Sequence, residues 1–447
     1  MARDTIFALS SAPGRAGIAV VRVSGPLAGG AILALTRKPP PEPRRASVRR
    51  LLAGGQADDG GAGGGVIDKA LILWLPGPES ATGEDVAEFH VHGGRAIVEA
   101  VLSTLAVVPG LRPAERGEFT RRSVENGKLD LTQAEGLADL IDAETESQRQ
   151  QALSQYEGAF FRQCEVWRTR LLHLCAWAEA AIDFSDEDLG GDLDGLVSRG
   201  IREVLGEMRS LLADGRRGEI TREGFHLTVI GPPNAGKSSL MNALARRDVA
   251  IVAETPGTTR DVVEARLDLG GYLVIAADTA GLREAGDAVE AEGVRRALAR
   301  AGSGDLVLLL LDGTASEPFA GVPEQGEHVF TVWNKADLPW PAPREGLAVS
   351  VKTGEGLEEL FAALAARIRD RLGDTARESA MVTRERHRRA LEDACQALTR
   401  AGADRTKAPE LIAEDLRLAL RAIGRITGRV DVEELLDVIF RDFCIGK

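Results

Sequence analysis

Four short stretches of the chain hold residues whose types and spacing suit phosphate and purine chemistry. In "GPPNAGKSSL", Gly231 and Gly236 frame a loop, with Asn234 and Ala235 inside it and Lys237, Ser238 and Ser239 directly behind it. Glycines let backbone N–H groups curl around phosphate oxygens, the lysine neutralises β and γ phosphates, and the serine hydroxyl of Ser238 suits Mg²⁺. The loop follows the apolar run "HLTVI" and precedes a helical pattern, the context a phosphate loop requires. Next, "GTTRD" runs from Gly257 through Thr258 and Thr259 to Asp261, and Thr259 could cap Mg²⁺ while a γ-phosphate is present. "DTAG" (Asp278, Thr279, Ala280, Gly281) places a carboxylate to reach the metal through water and an amide to meet the γ-phosphate. In "NKAD" (Asn334, Lys335, Ala336, Asp337), the final carboxylate can accept two hydrogen bonds from guanine's N1–H and amino group, a donor pair adenine lacks. "SVKTGEG", beginning with Ser350, Val351 and Lys352, would close over the base. In this order these motifs imply binding and hydrolysis of GTP.

The inventory has a gap. A water-orienting glutamine often follows the glycine of the third motif, and Leu282 stands there instead. Either hydrolysis is very slow or another side chain positions the water; Glu284, Asp287, Glu290 and Glu292 all lie in the next segment.

The elements that must hold these residues can be read from periodicity. "HLTVIG", "YLVIAAD", "DLVLLLLD" and "HVFTVWN" are buried-strand runs alternating with helical segments, the pattern of a doubly wound, mostly parallel sheet over residues 224–372. Residues 1–118 are mixed α/β: "TIFAL", "GIAVVRV" and "KALILWL" read as strands and "VAEFHVH" as a half-buried one, whereas "PPPEPRR" and "AGGQADDGGAGGGV" read as loops. Helices occupy 119–223 and 373–447. Thr132 with Glu135 and Asp431 with Glu434 make expected capping boxes, and Phe160, Cys164, Trp167, Leu171, Leu174, Ala178 and Ile182 form one apolar stripe. The two helical stretches flank the α/β segment and are expected to pack together, with that segment inserted between them.

Bulk properties exclude several classes. The chain has 447 residues, too many for one core, and its net charge of −13 argues against a general nucleic-acid coat, leaving room for a local basic patch such as Arg44–Arg45, Arg49–Arg50 or "RERHRR" from Arg384. No apolar run is long enough for a membrane span and no secretory pattern opens the chain, so no membrane contact and a cytoplasmic location are expected. Cys164, Cys175, Cys395 and Cys444 show no metal or disulfide spacing. His90 and His92 share a strand face but lack an acidic or thiol partner at metal-binding spacing, and the final Lys447 does not suit prenylation of Cys444.

"PNAGKSSLMNAL", "PGTTRDV", "DTAGLREAGDAVE" and the closing "CIGK" resemble the MnmE (TrmE) family of bacterial tRNA-modification GTPases. The resemblance runs through "TIFALSSAPGRAGIAVVRVSGP", "PGPESATGEDV" and "GEFTRRSVENGKLDLTQAEGLADLIDA", nearly the whole chain. It implies a folate-binding-like α/β domain at 1–118, a discontinuous helical domain at 119–223 and 373–447, and an inserted Ras-like P-loop domain at 224–372. It also implies a K⁺ site formed by Asn234 and the carbonyls of Ala253 and Thr255, with Thr258 beside it and Glu254 and Pro256 among the GTP contacts. Glu290 matches the family's catalytic glutamate, acting with Lys237 and Asn234 and filling the gap left by Leu282. Pro232 and Pro256 depart from common family residues, which bears on loop stiffness alone.

The same resemblance implies a homodimer that binds a reduced folate, 5,10-methylenetetrahydrofolate or 5-formyltetrahydrofolate, through Arg22, Glu88, Lys128 and Lys447. The "CIGK" tail would fold back toward that site, where the Cys444 thiol either reacts or fills space. A flavoprotein resembling MnmG (GidA), carrying FAD and using NADH, would join in a heterotetramer or larger complex. Together they would add a carboxymethylaminomethyl or aminomethyl group at C5 of the wobble uridine (position 34) of certain tRNAs, with no role for DNA. Ribosome-assembly GTPases share the "PNAGKSSL" and "GTTRD" style of motif, but "NGKLDL" and "CIGK" have no use in them. A folate binder with a vestigial GTPase is the third reading, which measurable turnover would remove.

Overall fold

The computed structural model describes residues 4–53, 65–183, 193–214, 216–245, 264–278, 306–316, 328–372, 381–403, 408–430, 436, 439–440 and 443–446. The chain divides into two compact units, Met1–Ala138 with Ile423–Lys447, and Asp139–Ala422.

In the first unit, six strands form one sheet in the order β3-β4-β5-β2-β1-β6: β1 (Thr5–Leu9), β2 (Ala16–Ser24), β3 (Ser47–Leu52), β4 (Val66–Leu75), β5 (Val86–Gly93) and β6 (Leu111–Pro113). Only the β1–β6 pair is parallel. Because strand side chains alternate in direction, Val21, Val23, Phe89 and Val91 face a core completed by α1 (Ala28–Thr36) and α2 (Arg95–Ala106), which supply Ile32, Leu35, Val101 and Leu105. The register Ala8↔Arg22↔Glu88 puts those three side chains on the opposite face, where Ala8 packs with Phe119 of α3 (Glu118–Glu125).

α4 (Leu131–Asp142) follows, and its expected cap is corrected. Asp130, not Thr132, caps it. Oδ1 of Asp130 accepts the amides of Thr132 (2.8 Å) and Gln133 (3.2 Å), and Gln133 Oε1 accepts the Asp130 amide at 3.1 Å. The box therefore pairs Asp130 with Gln133, and Thr132 donates its hydroxyl to Asp130 at 2.6 Å. Glu135 is buried. The second expected box, Asp431 with Glu434, lies outside the described residues.

The second unit opens with α5 (Glu146–Tyr156), α6 (Ala159–Asp183), α7 (Leu193–Leu212) and α8 (Arg217–Glu223). Six residues of the expected apolar stripe, Phe160, Cys164, Trp167, Leu171, Leu174 and Ala178, are buried on α6, and the seventh, Ile182, is half-buried near its end. A second sheet follows in the order β12-β11-β10-β7-β9-β8, built from β7 (Phe225–Ile230), β8 (Glu264–Leu269), β9 (Tyr272–Asp278), β10 (Leu306–Asp312), β11 (Val329–Asn334) and β12 (Leu347–Ala348). All its pairs are parallel except β8–β9. Helices α9 (Lys237–Ala245) and α10 (Leu357–Leu372) cover one face through Leu240, Met241, Leu360 and Leu364, while Ile230, Val307, Leu309 and Leu311 point to the other. α11 (Glu385–Gly402) returns to pack on α7, where Arg209 donates to Thr399 at 2.9 Å, and α12 (Pro409–Thr427) follows. The two helical stretches thus meet, as their apolar faces demand.

β3, β6, β8 and β12 are strands that the sequence pattern does not predict. β3 reads "SVRRLL", with Arg49 and Arg50 on consecutive positions, and it is an edge strand that need bury only part of its length.

Candidate functional site

The parallel strands bring the motifs together. β7 ends at Ile230, β9 at Asp278, β10 at Asp312 and β11 at Asn334, so the phosphate loop, the third motif and the guanine-reading segment all leave the same carboxyl edge. In an open α/β sheet that edge is where ligands bind.

The phosphate loop leads straight into α9, whose first-turn N–H groups and dipole favour an anion. Lys237 Nζ lies across the loop, donating to the carbonyls of Gly231 (2.8 Å) and Pro232 (2.9 Å). Ser238 and Ser239 are exposed on the first turn of α9. Asn234 is exposed and has φ 59°, a left-handed conformation that asparagine tolerates better than most residues. Gly236 has φ 99°, and a β-carbon there would come within 2.3 Å of Asn334 Nδ2, so no larger residue fits.

That close approach shows what Asn334 does. Its buried side chain donates from Nδ2 to the Ala235 carbonyl (2.7 Å) and accepts the Val351 amide on Oδ1 (3.1 Å), tying the phosphate loop to the base-recognition loop. Asp337 accepts the hydroxyl of Ser350 at 2.7 Å, and the Ala336 amide bonds the Val349 carbonyl at 3.0 Å. Lys335 Nζ lies 2.5 Å from Asp312 Oδ2. Lys352 follows in the same turn. Burial opposes the charge of Asp312, but hydrogen bonds from Lys335 and Thr314 outweigh it and hold the carboxyl below its ordinary value. Sequence reasoning missed Asp312. The signal available was an aspartate closing the apolar run "DLVLLLLD" one strand before "NKAD".

Several expected residues lie outside the described set: Ala253, Glu254, Thr255, Pro256, Gly257, Thr258, Thr259, Thr279, Ala280, Gly281, Glu290 and Lys447. Of Asp278, the backbone position at the end of β9 is described.

On the first unit's sheet, Arg22 and Glu88 form one ion pair, with Nε and Nη2 of Arg22 both 3.0 Å from Glu88 Oε1. Glu88 Oε2 meets His90 Nε2 at 3.2 Å, and Arg22 stands 5.8 Å from the centre of the Phe119 ring. Both histidines of "VAEFHVH" therefore have the acidic partner the sequence did not reveal, since His92 Nδ1 lies 2.8 Å from Asp68 Oδ1 across the strands. Among the described residues no cluster could hold a metal ion. Lys128 packs beside Gly83, in a loop that Asn126 secures by donating to the Thr82 carbonyl at 2.7 Å.

The tail lies on the same unit. Phe440 and Phe443 pack with Leu131 and Ala134, the Cys444 carbonyl accepts the Gly117 amide at 3.3 Å, and Ile445 bridges Arg116. Cys444 is exposed on the wall of a cavity of about 710 Å³ that also has Leu9, Leu102, Ala114 and Arg116 in its lining. Gly446 has φ 96° and passes so close to Leu9 that a β-carbon would lie 2.0 Å from its carbonyl oxygen. Gly446→Val is therefore expected to release the tail. Left-handed strain alone costs about 1–2 kcal/mol, so carboxypeptidase should remove the last residues roughly tenfold faster or more. An unchanged digestion rate would contradict this docking.

The basic run from Arg384 is committed to intramolecular pairs: Arg384 with Asp139 (2.7 Å), Arg388 with Glu219 (2.8 Å) and Arg389 with Glu385 (2.8 Å).

A mostly parallel sheet carrying a phosphate loop and the "NKAD" segment on its carboxyl edge defines the class: a P-loop GTPase with a Ras-like sheet, joined to a helical part and a separate α/β unit. The family model for the GTP-binding protein TrmE N-terminus matches residues 5–128, and that for the MnmE helical domain matches residues 131–444. Proteins called tRNA modification GTPase MnmE are close to full-length matches. That of Parvibaculum lavamentivorans is 52% identical over 99% of this chain and 100% of its own. The Rhodospirillum rubrum protein is 53% identical over the whole of both chains, and that of Methylorubrum populi is 54% identical over 99% of this chain and 98% of its own. The chain belongs to the MnmE family of tRNA modification GTPases and is a GTP hydrolase.

Proposed function

We propose that this GTPase is K⁺-stimulated and works as a homodimer with a flavoprotein resembling MnmG (GidA), which contributes FAD and NADH. Their joint product is a carboxymethylaminomethyl or aminomethyl group at C5 of the wobble uridine of certain tRNAs, with a reduced folate as one-carbon donor. GTP hydrolysis drives opening and closing of domains rather than bond formation on the base. The domain division is 1–118, 119–223, 224–372 and 373–447.

The observation that carries the ion proposal is Asn234. Its left-handed backbone and exposure in the phosphate loop support a role for its carboxamide as an oxygen ligand for K⁺. Carbonyls of Ala253 and Thr255, with Thr258 beside them, would complete that site. Ser238 and Thr259 would hold Mg²⁺, and Glu290 would orient the attacking water. For the folate, Glu88 suits the donor edge of a pterin, while Arg22, Lys128 and Lys447 suit the acidic tail. The ion pair between Arg22 and Glu88 supports a polar pocket on this face. Among the described residues no helix is long and apolar enough to cross a membrane.

The test is the hydrolysis rate in KCl against NaCl at equal ionic strength, with Asn234→Ala alongside. A rate at least about tenfold higher in KCl, lost in the variant, is expected for a charge-neutralising ion at the phosphates. Equal rates in both salts would remove K⁺ and leave Asn234 as a loop brace.

A further inference from the structure

Lys335 has φ 67°, a left-handed conformation that costs a residue with a β-carbon about 1–2 kcal/mol. Such an outlier persists only where its surroundings over-determine it. The Lys335 carbonyl accepts the indole N–H of Trp340 at 3.0 Å and the Leu338 amide at 3.1 Å. At the far end of the side chain, Nζ is held by Asp312. Asp312 cannot swing away cheaply, because its other oxygen accepts the amide (2.9 Å) and hydroxyl (2.7 Å) of Thr314. The Trp340 ring lies against Gly313, whose amide bonds the Asn334 carbonyl at 3.0 Å.

The bend at Lys335 separates two tasks. Asn334 before it is turned toward the phosphate loop, and Asp337 after it is turned toward Ser350. Relaxing Lys335 would swing the chain between them and carry the Asp337 carboxylate off its mark.

We infer that Asp312 and Trp340 are positioning residues for base selection: by clamping Lys335 at both ends, they aim Asp337 at the guanine edge. This rests on reading Asn334–Asp337 as the base-recognition segment, and the control below tests that reading separately. Both residues act through Lys335, so the clamp bears on affinity and base preference and leaves the phosphate chemistry alone.

The experiment measures GDP affinity, kcat and KM for GTP and ITP, and melting temperature in Asp312→Asn, Trp340→Phe, Lys335→Ala and the Asp312→Asn/Lys335→Ala pair. Asp312→Asn keeps the shape and weakens only the charged contact. Loss of one charge-assisted hydrogen bond predicts a roughly tenfold rise in KM for GTP, kcat within about twofold, and a matching fall in preference for GTP over ITP. Trp340→Phe should shift the same quantities less. In the double variant the Asp312 effect should largely vanish, because it acts through Lys335. A lower melting temperature with unchanged KM and base preference, or additive losses in the double variant, would overturn the inference. Asp337→Asn is the control: if it binds GTP like the parent, the base-recognition reading itself fails, whatever Asp312 does.

Discussion

Asn334→Ala is expected to weaken GTP and GDP binding by about a hundredfold or more and to lower the melting temperature at the same time. The side chain bridges Ala235 in the phosphate loop and Val351 in the loop after Ser350. Ala235 is fully buried, so its carbonyl cannot turn to water when the asparagine leaves. Each buried polar group left unmet costs about 1–3 kcal/mol, and a hundredfold in affinity is only about 2.7 kcal/mol. Both loops would loosen together, so phosphate and base contacts should suffer alike. Titration with a fluorescent GDP and a thermal melt check this. Binding within threefold of the parent would show that the two loops hold their places without the bridge. Asn334→Asp should be no better, since a carboxylate would face the Ala235 carbonyl in place of a donor.

Arg122→Leu should be the most destabilising of these substitutions, by about 3–5 kcal/mol, as expected when a cation is removed from buried anions. The guanidinium is almost wholly buried. It contacts Glu84 at 3.0 Å, Glu118 at 2.9 Å and the Asp4 carbonyl at 2.8 Å, while Glu84 also takes the Ser24 hydroxyl at 2.7 Å. One side chain thus joins the start of β1, the end of β2, the loop before β5 and α3. Urea denaturation of the first unit's fluorescence or circular dichroism signal measures the loss, and a change below 1 kcal/mol would refute the buried-network account.

The network also has a pH signature. Burial works against the charge of Glu118, but hydrogen bonds from Arg112, the Glu115 amide and Arg122 overcome it and hold the carboxyl at about 2, against an ordinary 4.5. A carboxylate with a depressed value stabilises the fold above its unfolded value. That contribution should be complete above about 4.5 and fade as pH falls toward 2. Glu118→Gln should therefore narrow the gap between neutral and acid stability.

The nucleotide machinery was legible because phosphate and guanine recognition demand particular residue types in a fixed order. Local pattern also located the long α6 stripe and the buried strands, whose side chains must be apolar at intervals set by backbone geometry. Where it failed, local backbone geometry or side-chain contacts in the folded chain made the choice. The helix at Leu131 was assigned the wrong cap because Asp130 and Thr132 both suit the role, and only backbone geometry chooses between them. His90 and His92 looked unpartnered until the folded strands put Asp68 of β4 within 2.8 Å of His92 and turned Glu88, two residues before His90 on the same strand, to within 3.2 Å of it.

What the sequence determined by itself was the chemistry: a lysine and hydroxyl behind a glycine loop, a carboxylate for guanine, and a family resemblance spanning nearly the whole chain. What tertiary structure alone decided was how those groups are held. Asn334 as a bridge, Asp312 as an anchor for Lys335, and Arg122 as a partner of Glu84 each depend on groups tens of residues apart meeting within about 3 Å. Hydrogen bonds and ion pairs act over that distance and no further, so a linear pattern can name the partners' types but not join them.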